Sequence, residues 1–263
     1  MGRESGTFAV AFKDLTTGNV LLINEMDEYH AASTMKTPVL IEVFKQVAAG
    51  TFSLTDSILI KNEFTSIVDG SPYRLNVSDD SEIELYSSVG KKQTLGTLVF
   101  DMITMSSNLA TNIIIGLVGA DNVTQTMRYL GASTIQVRRG VEDSLAYAWG
   151  WNNIITARDL MVIFEKMAMG EAVDSLSSKA MIDILSQQKF NEIIPAQLPQ
   201  DVKVAHKTGS FPGVHHDSGI VFLPDGRKYV IVILSRELVD EASATKAMAS
   251  VSRRIYNYVL LSK

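Results

Sequence analysis

Cysteine is absent from all 263 residues of the chain. A disulfide scaffold, a thiolate zinc site and thiol catalysis are therefore excluded, while the redox compartment stays open. Long apolar runs are missing too: no stretch reaches the ~18–20 residues of a membrane span, and the longest are strand-like pieces such as YVIVIL. Positive charge is scarce. A net charge of −5 offers no basic face to nucleic acid, and the doublets Arg138-Arg139 and Arg253-Arg254 are too short to make one. The opening MGRESG lacks the apolar segment of a signal peptide, so the expectation is either a cytosolic protein or a mature form written without its leader. Internal repeats and low-complexity linkers are lacking as well.

What is present is ordinary globular material, 46% hydrophobic and 20% charged, enough for one large domain or two closely packed lobes. GTFAVAFKDL and NVLLINEM, joined by TTGN, read as a hairpin. From Thr34 to Ala49 the apolar residues Met35, Val39, Leu40, Val43, Phe44 and Val47 recur at helical spacing, and Gly50 ends the run. Residues 51–200 carry helical patterns (LGTLVFDMITM, LATNIIIGLVG, ARDLMVIFEKMAMG, SKAMIDILSQ), with Thr156 and Asp159 at capping-box spacing before LMVIF. Strands return as VKVAHKTGS, SGIVFL and KYVIVILS, the last two separated by a turn at Pro224-Asp225-Gly226, and an amphipathic helix over 241–261 closes the chain. The fold class is α/β in the α+β sense: one sheet built from both termini, with an all-α lobe inserted. The expected division is an α/β lobe of residues 1–50 plus 198–263 and an inserted, mainly helical lobe of 51–197. A cleft between them is the natural binding place.

Ser33 precedes Lys36 by three positions at the start of the first helix, so an amine can approach a hydroxyl on one helix face. The pattern Ser-x-x-Lys also occurs at Ser88/Lys91, Ser186/Lys189 and Ser243/Lys246, so by itself it decides nothing. Acyl transfer by a serine needs a base, a second proton shuttle, donors for the oxyanion and a cation for an anionic substrate. TMSSN offers Ser106 and Asn108 between two helices, and VAHKTGS offers Lys207-Thr208-Gly209 on a strand; each motif occurs once. On that strand Lys207 and Gly209 share a face, and Gly209 lets a neighbour come close to the backbone.

Ser33-Thr34-Met35-Lys36, Ser106-Ser107-Asn108 and Lys207-Thr208-Gly209, in that order, resemble the three motifs of the class A β-lactamase and penicillin-binding-protein superfamily. Glu142 in EDSLA is similar to the Glu-x-x-Leu-Asn of the class A omega loop, and the likeness spans nearly the whole chain. The resemblance implies an antiparallel β-lactamase/transpeptidase-like sheet flanked by helices. It implies Ser33 as acylated nucleophile, Lys36 as base or relay, Ser106 as donor to the departing lactam nitrogen and Glu142 as activator of the deacylating water. Asn108 would hold the acylamide side chain, Lys207 and Thr208 the substrate carboxylate, and the N–H groups of Ser33 and Ser210 the oxyanion. Implied with these are a monomer acting on a small β-lactam or acyl-D-Ala-like molecule without cofactor or metal, and periplasmic or secreted residence.

Four departures qualify the likeness. Ala146 stands where the omega-loop Asn helps to hold water, which implies slow deacylation. MGRES leaves almost no room for a helix before the first strand, implying a shortened N-terminus or a loosened sheet edge. SFPGVHHDSGIV brings no Arg toward the substrate carboxylate, and NEFTSIVDGSPYRLNVSDDSEIELY is expected to be extra loop. Two rival functions share the scaffold: a D-Ala-D-Ala peptidase or esterase, and a penicillin-capturing or sensing domain that stays acylated. Outside the motifs, His215, His216 and Asp217 invite a metal, but neighbours on a strand point to opposite faces and cannot readily chelate together; a place for one histidine at the substrate rim is the other reading. His30 reads as structural, Tyr86 as a cleft-rim residue, the Met residues as core filler. Trp149 and Trp151 either line a pocket or pin a loop.

Overall fold

A computed structural model describes residues 5–262. Its main sheet has five strands, β1 (Thr7–Asp14), β2 (Val20–Ile23), β3 (Lys203–Phe211), β4 (Val214–Phe222) and β5 (Lys228–Arg236). They are antiparallel neighbours in the order β2-β1-β5-β4-β3. β1 pairs with β5 from Thr7 opposite Arg236 to Asp14 opposite Tyr229, so the two ends of the chain meet in one sheet, as the sequence pattern predicts. Alternation along each strand then sorts side chains onto two faces. Ala9, Ala11, Ala205, Ile220, Val230, Val232 and Leu234 join the helical core on one side. Phe8, Val10, Phe12, Val221, Tyr229, Ile231 and Ile233 join a second core on the other.

Eight α-helices accompany the sheet among the described residues: α1 (Lys36–Ala48), α2 (Leu95–Thr104), α3 (Asn108–Val118), α4 (Ala120–Leu130), α5 (Ser144–Ala148), α6 (Ala157–Ala168), α7 (Ser175–Leu185) and α8 (Glu241–Leu261). α8 seals the outer face of the sheet with Ala244, Met248, Ile255, Tyr256 and Val259. α1 is buried on every side from Lys36 to Phe44, the pattern of a central rather than a surface helix. It packs against α2, α3, α4 and α7, while α6 lies on β1, β4 and β5. Division at residues 50 and 198 therefore cuts through this packing, putting α1 with the sheet and α6 with the helices.

Two details differ from the sequence pattern. Thr156 caps α6 by accepting from Asp159 N, but the Asp159 carboxylate turns away to accept from Thr134 N and Ile135 N, so the box is only half formed. The segment expected to be extra loop is folded: Phe64–Thr65 pairs with Pro72–Tyr73, and 3-10 turns follow at Val77–Asp79 and Glu84–Ser88. The exposed edge strand β2 leaves Val20, Leu21 and Ile23 in solvent. No helix among the described residues is long and apolar enough to cross a membrane.

Candidate active site

Ser33 lies in a 3-10 turn, Ala32–Met35, that runs directly into α1. Ala32 is held at φ +44°, a region that non-glycine residues enter only at a cost, and its N–H donates to His30 Nδ1 at 3.1 Å. The approach to this turn is fixed from behind. His216 Nε2 donates to His30 O at 3.0 Å and its Nδ1 accepts from Ser235 N at 3.1 Å, which sets one neutral tautomer. Full burial pushes the His216 imidazole down to about 4, so it stays uncharged at neutral pH. Burial also separates the four Ser-x-x-Lys pairs: Lys91, Lys189 and Lys246 are exposed, whereas Lys36 is 0% exposed.

A carbon stem ending in a buried ammonium needs acceptors, and Lys36 finds three. Its Nζ donates to Ser106 O at 2.6 Å, Ser106 Oγ at 3.2 Å and Asn108 Oδ1 at 3.0 Å. Ser106 presents both oxygens this way because it turns the chain between α2 and α3 at φ +57°, after which Ser107 caps α3 by accepting from Ala110 N. The second buried amine, Lys207 Nζ, donates to the same Ser106 Oγ at 3.0 Å and to Thr208 O at 3.0 Å. One hydroxyl thus joins two lysines. Desolvation pushes Lys36 down to about 7, against the pull of Asp80 and Glu142. The same desolvation, with Lys36 as a repelling neighbour, pushes Lys207 far below the usual lysine range.

Glu142 reaches this cluster from a loop pinned at several points. Asn153 Oδ1 accepts from Arg138 N and Arg139 N, and Arg139 donates to Trp151 O and Asn152 Oδ1. Asn112 of α3 clamps Val141 through both N–H and C=O, and a Cβ at Gly140 would meet that Asn112 Oδ1 at 2.3 Å. Asp143 accepts from Ala146 N, Ser66 Oγ and Ile67 N, tying the loop to the folded 64–73 segment. Glu142 itself sits at φ +60° and accepts from Asn108 Nδ2 at 2.8 Å. Its carboxyl is raised by burial, against the lowering effect of the Asn108 hydrogen bond. Asn108 therefore bridges Lys36 and Glu142 through its two amide ends.

Two adjoining cavities open on this cluster, of about 480 and 360 Å³, sharing Ser33, Asp79, Asn108 and Ser210. Glu142, His30, Tyr147 and Phe211 line the larger; Ser106, Thr208, Glu192 and His215 line the smaller. His30 stacks on Phe211 at 5.1 Å, and Tyr147 tilts against both. Lys36 and Lys207 line neither cavity: they lie beneath Ser106. β3 passes so near the Ser33 turn that a Cβ on Gly209 would stand 3.0 Å from Ser33 N and Thr34 N. Gly209→Ala is expected to push the strand and turn apart by a few tenths of an ångström and lower kcat/KM roughly 10- to 100-fold. Steady-state kinetics checks it, and an unchanged kcat/KM counts against a need for that approach.

The structure thus brings Ser33, Ser106, Asn108, Glu142, Thr208 and Ser210 to the walls of one groove, with Lys36 and Lys207 buried beneath Ser106 and Gly209 against the Ser33 turn. Of the other candidates, His30 and His215 reach the cavity walls and the rest go elsewhere. His215 Nδ1 pairs with Thr245 Oγ1, His216 with the His30 carbonyl, and Asp217 with His206 Nδ1 at 2.8 Å, so the three point to different partners. Tyr86 OH donates to Asp80 instead of lining a cavity. Trp149 and Trp151 pack edge to face, 63% and 39% exposed. Sequence reasoning missed Asp80, Asn112, Arg139, Asp143 and Asn153, whose partners are remote and whose motifs are silent.

The family model described as the β-lactamase enzyme family matches residues 1–259. Among curated relatives, extended-spectrum β-lactamase PER-1 of Pseudomonas aeruginosa is 23% identical over 91% of this chain and 78% of its own length. β-Lactamase ROB-1 of Haemophilus influenzae is 22% identical over 95% and 78%. Among solved structures, a β-lactamase from Sphaerobacter thermophilus superposes with TM-score 0.82 at 25% identity, covering 98% of this chain and 93% of that one. PBP-A superposes with TM-score 0.84 at 25% identity, covering 97% and 90%. With three motifs gathered at one groove of this fold and a family match across almost its full length, the chain belongs to the β-lactamase enzyme family.

Proposed function

We propose that the protein is a serine β-lactamase that opens the lactam through an acyl-Ser33 intermediate. The observation that supports this best is Ser106 Oγ, held between the buried amines of Lys36 and Lys207, beside a groove that also contains Ser33 and Glu142. In this reading Ser33 Oγ attacks the lactam carbonyl carbon and gives its proton to neutral Lys36. The oxyanion is met by the N–H groups of Ser33 and Ser210. As the C–N bond breaks, the proton passes from Lys36 through Ser106 to the departing nitrogen. Asn108 holds the acylamide side chain in the larger cavity, while Thr208 binds the carboxylate in the smaller, backed by Lys207 from beneath through its hydrogen bonds to Ser106 Oγ and Thr208 O. Glu142 then takes a proton from water, hydroxide adds to the ester carbonyl, and Ser33 leaves with a proton restored.

The test is turnover of a chromogenic cephalosporin, with intact mass measured after benzylpenicillin. Many turnovers with no lasting adduct support the proposal. A stoichiometric, long-lived adduct assigns a penicillin-capturing domain instead, the outcome that buried Ala146 favours because it offers no side-chain donor to water. Neither outcome leaves an esterase or an inactive relative. Residence outside the cytoplasm and a monomeric state belong to the same proposal, checked by cell fractionation and by sedimentation.

With Lys36 as the base, only its neutral form accepts the serine proton. Acylation is therefore expected to fall as pH drops through about 7, tenfold per pH unit below it. Stopped-flow acylation from pH 5 to 9 checks this. A limb that disappears in Glu142→Gln would instead move the base role to Glu142, whose carboxyl burial raises.

A further inference from the structure

The turn that carries Ser106 and Asn108 is held by a carboxylate outside all three motifs. Asp80, 7% exposed, lies in the folded segment that the sequence presents as extra loop. Its Oδ2 accepts from Asn108 N at 3.0 Å and Leu109 N at 2.9 Å, the two amides that open α3. The same oxygen accepts from Tyr86 OH at 3.0 Å and Ser107 Oγ at 3.5 Å, while Oδ1 accepts from Glu82 N at 3.0 Å. Helix-start amides left without partners are costly when buried, and an anion there is favoured by the helix dipole. Ser107, the local cap, reaches only Ala110 N. The Asn108 and Leu109 amides are satisfied from 28 and 29 residues upstream.

We propose that Asp80 is a positioning residue of the reaction: its buried carboxylate fixes the Ser106–Asn108 turn through the first amides of α3, and its charge acts on the Lys36 amine that this turn holds. It touches neither substrate nor reacting atoms and acts through those two groups. The inference rests on the β-lactamase reading for its kinetic part. The charged and titratable groups around Asp80 are Lys36 on α1, Glu142 on the pinned loop, Tyr86 on its 3-10 turn and neighbouring Asp79, with Lys207 behind Lys36 on β3. Asp80 supports the ammonium on Lys36 and opposes ionisation of Glu142 and Tyr86. Removing its charge therefore lowers the proton affinity of Lys36 and of Glu142 together. Whichever of them takes the serine proton, the limb moves the same way.

Two variants separate anchoring from charge. Asp80→Asn keeps an oxygen acceptor for the α3 amides and loses the charge. It is expected to fold, to acylate, and to move the acid limb of kcat/KM to lower pH by roughly one unit. Asp80→Ala loses both, and kcat/KM is expected to drop about 10- to 100-fold with faster hydrogen exchange at the Asn108 and Leu109 amides. A merely structural residue would leave the pH limb of a folded Asp80→Asn protein in place, and that result overturns the charge role. Unchanged exchange and unchanged kcat/KM in Asp80→Ala overturn the anchoring role. If the native protein neither turns over nor acylates with any β-lactam, the proposed function fails and the positioning role with it. Amide exchange then still shows whether Asp80 holds the turn.

Discussion

Ser33→Ala is expected to abolish the benzylpenicillin adduct and lower kcat/KM for a chromogenic cephalosporin by ~10⁴-fold or more. The change deletes one oxygen from a half-buried side chain and leaves the hydrogen bonds of the turn intact. Thr34 N and Thr34 Oγ1 still donate to Ala31 O, and Ala32 N still donates to His30. Loss of activity with Tm unchanged within about 2 °C therefore reports chemistry rather than unfolding. The parallel variants Ser88→Ala, Ser186→Ala and Ser243→Ala serve as controls. Their partner lysines are exposed and carry no comparable set of acceptors, so full activity is expected from each. A Ser33→Ala protein that keeps native turnover removes the mechanism, whatever the fold.

Most of this architecture is legible because it follows from periodicity. β1, β3, β5, α1 and α8 each carry enough apolar residues at one spacing to declare themselves, and the joining of both termini follows from strands at each end. α4 is less conspicuous for another reason: its buried residues Val123, Thr126, Met127 and Leu130 do stand at i, i+3, i+4 and i+7, but one of them is polar and the rest of ADNVTQTMRYL is largely polar, so no apolar run marks the segment. The motif residues are legible through resemblance, not through local physics. What fixes Lys36 as special is burial with three acceptors, two of them on Ser106, seventy positions away. The supports are harder still to read. Asp80, Asn112 and Asp143 act on backbone amides, and an Asp or Asn that accepts from a distant N–H looks in sequence like any loop residue. The one sequence-level trace they leave is a surplus of such residues in segments with few apolar positions, here NVSDDSE.

Glu142→Gln is expected to trap the acyl-enzyme. Gln keeps an amide oxygen that can still accept from Asn108 Nδ2, so the bridge to Lys36 and the strained backbone at residue 142 have reason to persist. What goes is the base. Acylation, assigned to Lys36, should survive within about tenfold, while deacylation should fall ~10²- to 10⁴-fold, the usual reach of a general base. Intact mass would then show benzylpenicillin still bound to nearly every molecule at times when the native protein has released its own. The two steps must be measured separately, because Ala146 leaves the water without a second side-chain partner and native deacylation is itself expected to be slow. If Glu142→Gln slows both steps alike, Glu142 serves acylation as well. If deacylation is untouched, the water is activated elsewhere and the pinned loop from Arg139 to Asn153 shapes the larger cavity without taking part in the chemistry.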